Sequence, residues 1–177
     1  MLKTFFISIL FSTLLFSHPH TFIEVYPTIE VKDDKVHNLH FKWKLDDMSS
    51  SILVMEFDSN GDNEIDANEN HYAYKNYFTL LESFGLFTEI KIKDKVQALP
   101  KATNFKTTIE DGRVCYSFDL KGSYNIKDLK IDFGDKDLFV AMIIKKEFLN
   151  IIGAKAKLSE VDLDFYFVHR LEFEKEK

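Results

Sequence analysis

One acidic segment near the middle of the chain has the residue types and spacing of a calcium-binding loop. Residues 58–69 read DSNGDNEIDANE. An EF-hand loop supplies oxygen ligands at positions 1, 3, 5 and 12, a backbone carbonyl at position 7 and often a water-bridging group at position 9. Positions 1, 3, 5 and 12 are Asp58, Asn60, Asp62 and Glu69. Position 7 is Glu64, which supplies its carbonyl, and position 9 is Asp66. The spacing predicts a Ca²⁺ site, and the alternative is a solvated acidic loop that holds no ion.

The sixth residue of this loop departs from the EF-hand pattern. The sharp turn there needs a positive φ, and glycine is the usual residue, whereas this chain has Asn63. Asparagine tolerates the left-handed region better than most residues. We therefore expect a weakened site, with a dissociation constant of roughly 10⁻⁴–10⁻³ M. The expected role of the ion is structural, because it would neutralise the carboxylates and fasten the flanking helices to the sheet.

Two histidines follow an apolar N-terminal run. Residues 4–16 are almost continuously apolar after a basic start, which is typical of a secretory signal peptide, here residues 1–17. The run is shorter than the ~20 apolar residues of a membrane span. We expect cleavage and a periplasmic location, with an uncleaved anchor as the alternative. His18 and His20, together with the new α-amine, would then offer nitrogen donors for Zn²⁺, Ni²⁺ or another divalent transition metal.

A predicted hairpin after these histidines brings in two carboxylates. Apolar and polar side chains alternate over residues 23–31 and 39–45 on either side of a turn at Asp33-Asp34, which predicts two antiparallel strands. Two registers fit the alternation, and they pair Glu24 with either Lys42 or Lys44.

Either hairpin register also places two acidic residues near the N-terminal histidines. Asp46 and Asp47 end the second strand, beside the expected positions of His18 and His20. A carboxylate at this point is equally suited to cap the helix that follows, and the two roles are compatible.

A further histidine lies in the C-terminal part of the chain. The odd-numbered residues of 161–173 are apolar except for His169, so a strand there would carry this histidine on its apolar face. Such a residue is either a hydrogen-bonded core histidine or a metal ligand, and both interpretations remain open.

The elements that must hold these residues are mostly strands. Helical spacing over 47–57 and 67–84 encloses the acidic loop, and Gly85 is expected to end the second helix. The apolar face of that helix is predicted to contain Ala73, Tyr77, Leu80, Leu81 and Phe84. Strand-like runs follow at 88–98, 104–110, 113–121, 126–133, 137–145 and 161–173. We expect an α+β, mostly β fold in one domain of residues 18–177: an antiparallel β-sandwich or barrel-like sheet with an EF-hand-like helix–loop–helix inserted at about 47–84.

Composition excludes several classes of function. The formal charge of the 177-residue chain is −6 and no basic block occurs, which argues against binding to nucleic acid or to an anionic membrane surface. No later segment is apolar enough to span a membrane. The single cysteine, Cys115, allows no internal disulfide and is expected to be buried. Because no nucleophile elbow, phosphate loop or zinc-protease helix is present, we expect a binding protein rather than an enzyme.

Several segments together resemble one bacterial periplasmic family, called domain of unknown function one thousand and seven. The segments are HPHTFIE at 18–24, FKWKLDDMS at 41–49, the acidic loop, FGLFT at 84–88 and DKDLFVA at 135–141, in which Leu138 replaces an expected tyrosine. The resemblance implies proteins encoded near nickel, cobalt, zinc or manganese transport systems, with a metal ABC or other inner-membrane transporter as a possible partner. It implies His18, His20 and Asp47 as transition-metal ligands and Asp135 as a further one.

Two hypotheses of function result. The first is a periplasmic metal-binding accessory that assists divalent transition-metal transport and carries a calcium loop. The second is a non-enzymatic binding or scaffold module whose only ion is a structural Ca²⁺.

Overall fold

The predicted N-terminal hairpin is present in the computed structural model, which describes residues 21–137 and 139–174. Its strands are β1 (Thr21–Lys32) and β2 (Lys35–Leu45). Asp33 and Asp34 have φ values of 51° and 58°, as a two-residue turn that matches the strand twist requires. Glu24 lies opposite Lys44, which confirms one of the two predicted registers.

The described strands form two sheets. The later strands are β3 (Thr88–Ile92), β4 (Lys95–Val96), β5 (Ala102–Glu110), β6 (Arg113–Asn125), β7 (Leu129–Phe133), β8 (Val140–Ile143), β9 (Asn150–Ile152), β10 (Lys155–Asp162) and β11 (Phe167–Glu174). Sheet A has the order β5-β6-β2-β1-β8, with β9 also beside β1, and sheet B has the order β10-β11-β7-β3-β4. Most pairs are antiparallel, while β8 and β9 run parallel to β1. This arrangement fits the predicted sandwich, and within the described ranges the sheets do not close into a barrel.

Aromatic side chains fill the space between the two sheets. Phe41 of β2 meets Phe133 of β7 edge to face, with ring centroids 5.5 Å apart. Trp43 packs on Phe118 in the same way at 4.9 Å. All four are fully buried, and truncating such a ring typically costs about 3–5 kcal/mol. The contact between Phe41 and Phe133 joins sheet A to sheet B, while Trp43 and Phe118 pack on each other from neighbouring strands of sheet A.

The helical insertion follows the predicted boundaries closely. It consists of α1 (Asp47–Phe57), α2 (Ala67–Ala73), a π-helical turn (Tyr74–Phe78) and α3 (Thr79–Ser83). Gly85 has a φ of 66° just after α3, so it ends the helix as expected. Among the described residues, none of these helices has the length and apolarity needed to cross a bilayer.

The predicted buried face is only partly correct in the second half of the insertion, where Tyr77 and Leu81 pack against the core but two other members do not. Leu80 and Phe84 are 60% and 63% exposed, whereas Phe78 is fully buried. The cause is the π-helical turn, which fits one more residue into a turn than an α-helix does. Leu80 and Phe84 are therefore rotated away from the face that regular α-helical spacing assigns to them, although Leu81 still packs against the core.

The predicted strand at 161–173 is also wrong, because it contains a turn. β10 ends at Asp162 and β11 begins at Phe167. The Asp162 carboxylate accepts a hydrogen bond from the Asp164 N–H at 3.0 Å, and Asp164 has a φ of 69°. Phe165 at the tip of the turn is 88% exposed. The apolar alternation thus continues across two strands without forming one face.

The insertion docks on the β5 edge of sheet A. Asn70 Oδ1 accepts the Thr107 N–H at 2.6 Å, and Glu82 Oε1 accepts the Ala102 N–H at 3.1 Å. These side chains satisfy backbone donors that a sheet edge otherwise leaves open. The acidic loop is therefore attached, through its helices, to one edge of the sandwich.

Candidate metal centres

The acidic loop lies between α1 and α2, as the calcium prediction requires. α1 ends at Phe57 and α2 begins at Ala67. Asn63 has a φ of 61°, so the residue that replaces the usual glycine adopts the left-handed conformation expected of it. The helix–loop–helix context and the turn geometry of the prediction are thus confirmed.

The Asp58 carboxylate organises the first half of the loop. Its Oδ1 accepts the N–H groups of Gly61 at 2.8 Å and Asp62 at 3.1 Å, and its Oδ2 accepts the Asn63 N–H at 2.9 Å. Asn60 Oδ1 accepts the Asp62 N–H at 2.9 Å. Side chain to backbone bonds of this kind curl the chain locally and leave a set of hard oxygens of the type that Ca²⁺ prefers.

Glu69 joins the two ends of the loop. It is 6% exposed, and its Oε1 accepts both the N–H and the hydroxyl of Ser59, at 2.8 and 2.9 Å. Its Oε2 accepts the Asp66 N–H at 3.0 Å, within a capping box formed with Asp66. Hydrogen bonds from Asp66 and Ser59 hold the pKa of Glu69 below its ordinary value. Sequence reasoning missed Ser59, which no EF-hand position marks.

The described residues do not assemble a complete metal site. No group of three or more His, Cys, Asp or Glu side chains within 21–137 and 139–174 has a geometry that could hold a metal ion. In the loop, Glu69 would have to turn from Ser59 to close an ion's coordination shell. The donor types and the backbone fit Ca²⁺, and binding itself stays a prediction.

The second candidate centre lies at the start of β1, where Asp46 acts as a helix cap. Asp46 Oδ1 accepts the Ser49 N–H at 2.8 Å, which confirms the predicted capping role. Its Oδ2 accepts the Phe22 N–H at 2.8 Å, and the Asp46 N–H donates to the Phe22 carbonyl at 2.9 Å. Burial alone would raise the pKa of Asp46, but these hydrogen bonds outweigh it and lower the pKa.

Of Asp47 and the two N-terminal histidines, the structure describes only Asp47. The side chain of Asp47 is 94% exposed, and its Oδ1 is 3.7 Å from Nε of Arg113. Its carboxylate is thus the more accessible one of the Asp46-Asp47 pair. His18 and His20 lie outside the described residues, so the structure does not test their role.

Asp135 holds a turn that pairs with the start of β1, next to the contact between Asp46 and Phe22. Its Oδ2 accepts the N–H groups of Phe139 and Val140, at 3.1 and 3.0 Å. The Phe139 carbonyl in turn accepts the Thr21 N–H at 3.3 Å. Asp46 and Asp135 therefore hold backbone on two sides of Thr21–Phe22, the residues that directly follow His20.

His169 occupies an inward position between the sheets. It lies opposite Phe133 on β7 and Glu160 on β10. Burial lowers the pKa of its imidazole, while Glu160 and a hydrogen bond with the Met142 backbone oppose that shift. Since Met142 belongs to β8, the ring links sheet B to sheet A. This contact fits the core interpretation, and the described residues place no three-ligand group around His169.

One polar cluster, formed by His40 and Asp119, was missed by sequence reasoning. His40 Nδ1 is 2.8 Å from Asp119 Oδ1, and Asp119 also accepts from Asn38 at 3.3 Å and from Asn104 at 2.6 Å. Burial favours a higher pKa for Asp119, but the bonds from Asn104 and His40 lower it. The β2–β6 register creates this contact between residues far apart in sequence, and no local pattern signals it.

The fold and these centres define a β-sandwich that carries an EF-hand-like helical insertion at one sheet edge. A family model described as "Protein of unknown function (DUF1007)" matches residues 4–160. The chain belongs to this family, as the resemblance indicated. A relative from Spirochaeta aurantia, described as "Uncharacterized 15.5 kDa protein in trpE 3'region", is 31% identical over 97 residues, which are 53% of this chain and 69% of the relative. Neither description assigns a ligand or a transporter.

Proposed function

We propose that this chain is an exported, periplasmic binding protein, without catalytic activity, whose acidic loop takes up one Ca²⁺. The supporting observation is the loop backbone, in which Asn63 is left-handed at the critical turn and the Asp58 carboxylate collects three successive N–H groups. This backbone presents the oxygen donors of the EF-hand pattern between two helices.

Charge within the loop gives the ion its structural role. The loop contains five carboxylates and no lysine or arginine within residues 58–69. Their mutual repulsion works against the compact turn, and a divalent cation relieves it. On binding, Glu69 exchanges its bonds to Ser59 for the ion, while Asp58, Asn60 and Asp62 supply oxygens from the other side. The ion would thereby hold α1 to α2.

Calorimetry and thermal melting with Ca²⁺ test this function. At 10 mM Ca²⁺, a dissociation constant of ~10⁻⁴–10⁻³ M gives a stabilisation of about 1.5–3 kcal/mol. For a chain of this size, the melting temperature should rise by roughly 3–10 °C. Asp58→Asn keeps one oxygen for the loop N–H groups but removes the charge, so it should abolish most of the rise. Asp33→Asn, in the hairpin turn, removes the same charge elsewhere and should leave the rise intact.

A comparison of Ca²⁺ with Mg²⁺ tests whether the site is specific for calcium. Mg²⁺ at the same concentration should stabilise the protein much less, because it demands a rigid octahedral shell. The proposal fails if Ca²⁺ gives no binding heat, or if Asp33→Asn reduces the effect as much as Asp58→Asn does.

We further propose that the mature N-terminus binds a divalent transition metal and assists a metal ABC or other inner-membrane transporter. The observation that supports it is the convergence of Asp46 and Asp135 on the backbone around Thr21–Phe22. Both carboxylates are engaged with backbone N–H groups, which leaves exposed Asp47 as the carboxylate available to complete a site with His18 and His20.

The protein processed at its natural start is the material for this second test. Native mass spectrometry should show the mass left after removal of residues 1–17 and one bound Zn²⁺ or Ni²⁺. The double variant His18→Ala/His20→Ala should lose the metal, whereas His37→Ala/His71→Ala, which changes two exposed histidines, should keep it. Equal metal retention in both variants would contradict the assignment.

A further inference from the structure

An apolar groove opens at the corner where the chain passes from sheet A to sheet B. β9 and β10 are joined there by a tight turn at Gly153. The groove is lined by Lys146, Leu149, Ile151, Ala156, Lys157 and Leu158, and its volume is about 540 Å³. Small-molecule sites generally measure ~300–1,000 Å³, so the groove is large enough for a ligand.

The turn at Gly153 keeps this corner open. Gly153 has a φ of 81°, and a Cβ there would lie 2.2 Å from the Val31 carbonyl oxygen. The turn therefore packs directly on the end of β1, and the strands on either side of it diverge into different sheets. Ile151 and Leu158 pack against the core but remain partly exposed, so the floor of the groove is continuous with the interior.

The charge of the groove differs from that of the rest of the protein. The chain carries a net charge of −6, yet no acidic residue lines the groove, and Lys146 and Lys157 both do. Both lysines are exposed. Glu172 lies opposite Lys157 in the β10–β11 register, but within the described part of the chain no ion pair of 4.0 Å or less holds either lysine.

We propose that this groove binds a long-chain fatty acid anion. The alkyl chain lies on Leu149, Ile151 and Leu158, where it loses contact with water. The carboxylate lies between the ammonium groups of Lys146 and Lys157, which supply charge-assisted hydrogen bonds. A single acyl chain suits the volume better than a two-chain lipid does. The site is independent of the proposed metal centres, which lie at the two ends of α1.

Fluorescence titration with cis-parinaric acid, followed by displacement with palmitate, tests the site on the full processed protein. We expect saturable binding of one molecule per chain. The double variant Lys146→Glu/Lys157→Glu should weaken palmitate binding on the order of tenfold, because two attractive charges become repulsive. Lys75→Glu/Lys106→Glu carries the same charge change on exposed lysines outside the groove and should bind as the wild type does.

A neutral competitor and a membrane probe separate the alternatives. Hexadecanol should displace the probe less well than palmitate from the wild type, and this difference should disappear in Lys146→Glu/Lys157→Glu. The proposal is overturned by an absence of saturable binding, by equal weakening in the control variant, or by binding to phosphatidylglycerol vesicles without displacement by monomeric palmitate. Thermal melting of each variant confirms that its fold is intact.

Discussion

A buried carboxylate on the outer face of sheet B provides a sharp test of what holds this fold together. Asp132 is 2% exposed, and its Oδ1 accepts a hydrogen bond from Arg170 Nε at 2.6 Å while its Oδ2 accepts one from Arg170 Nη2 at 2.7 Å. Lys91 Nζ donates to Oδ2 at 2.6 Å. One carboxylate from β7 thus pairs with cations from β3 and β11, and Glu89 also pairs with Lys91 at 2.9 Å. The substitution to make is Asp132→Asn.

Asp132→Asn should lower the free energy of unfolding substantially, because Asp132, Lys91 and Arg170 are all largely buried. The side chains of Lys91 and Arg170 are only 13% and 15% exposed. Without Asp132, Arg170 loses its carboxylate partner in this poorly solvated place, while Lys91 keeps its pair with Glu89. Removing one partner of a buried ion pair typically costs about 3–5 kcal/mol. This is a large part of a total stability of ~5–15 kcal/mol. The urea midpoint should fall by on the order of 2 M.

The pH dependence of stability gives an independent check. Burial by itself raises the pKa of Asp132, but the bonds from Arg170 and Lys91 outweigh it and keep the pKa below its ordinary value. A lowered folded-state pKa means that the stabilisation is fully present above the unfolded value of about 3.9 and is lost as pH falls through the folded value. The stability difference between wild type and Asp132→Asn should therefore be constant near neutrality and shrink below about pH 4.

The matched control is Asp94→Asn, which breaks a surface pair with Lys130. The Asp94 side chain is 75% exposed, and water and salt screen such a surface pair so that it contributes little to stability. If Asp132→Asn lowers the urea midpoint no more than Asp94→Asn does, or if the stability difference does not shrink at all as the pH is lowered below about 4, the buried carboxylate is not what stabilises these three strands.

Three further outcomes are expected. Ser50→Ala should lower the free energy of unfolding in urea by about 1–3 kcal/mol, because its buried hydroxyl accepts the Val114 N–H of β6 and donates to the Leu45 carbonyl of β2. Ser51→Ala, at an exposed position, should lower it far less. Gly153→Ala should lower the melting temperature strongly, because the new Cβ would clash with the Val31 carbonyl oxygen. Gly112→Ala has open space around it and should lower the free energy of unfolding by only ~1 kcal/mol. In ultraviolet titration, Tyr72 should ionise late, because its hydrogen bond to a glutamate raises its pKa to about 12.

Local patterns were sufficient for the hairpin and for the first helix. The two-residue Asp33-Asp34 turn allows few registers, and each keeps the apolar residues of both strands on one face. α1 was predicted from Asp47 to Phe57 by helical spacing, and a carboxylate of the Asp46-Asp47 pair was expected to cap it. At both places the signal lies within a few residues of the feature it determines.

Contacts between distant segments could not be predicted from one sequence. The pairing of His40 with Asp119 and of Asp132 with Arg170 depends on strand order, which no local pattern encodes. The π-helical turn at Tyr74–Phe78 depends on packing, since the rings of Phe78 and Phe105 are in contact, tilted and with centroids 4.3 Å apart. At Asp162–Tyr166, alternation suggested one strand because periodicity does not distinguish a turn from a continuing extended chain.

The two proposed metal centres are connected by one rigid element. Asp46 caps the first residues of α1. Asp58, the first predicted ligand of the loop, is the C-cap residue of the same helix, and its N–H donates to the Val54 carbonyl. The eleven residues of α1 separate the two centres by about 16 Å. An ion bound at the loop would therefore fix the far end of the helix whose first turn carries Asp47. A sandwich held by aromatic packing does not need an ion for its core, so we propose that a bound Ca²⁺ would act on the orientation of α1 and of the Asp47 carboxylate in its first turn.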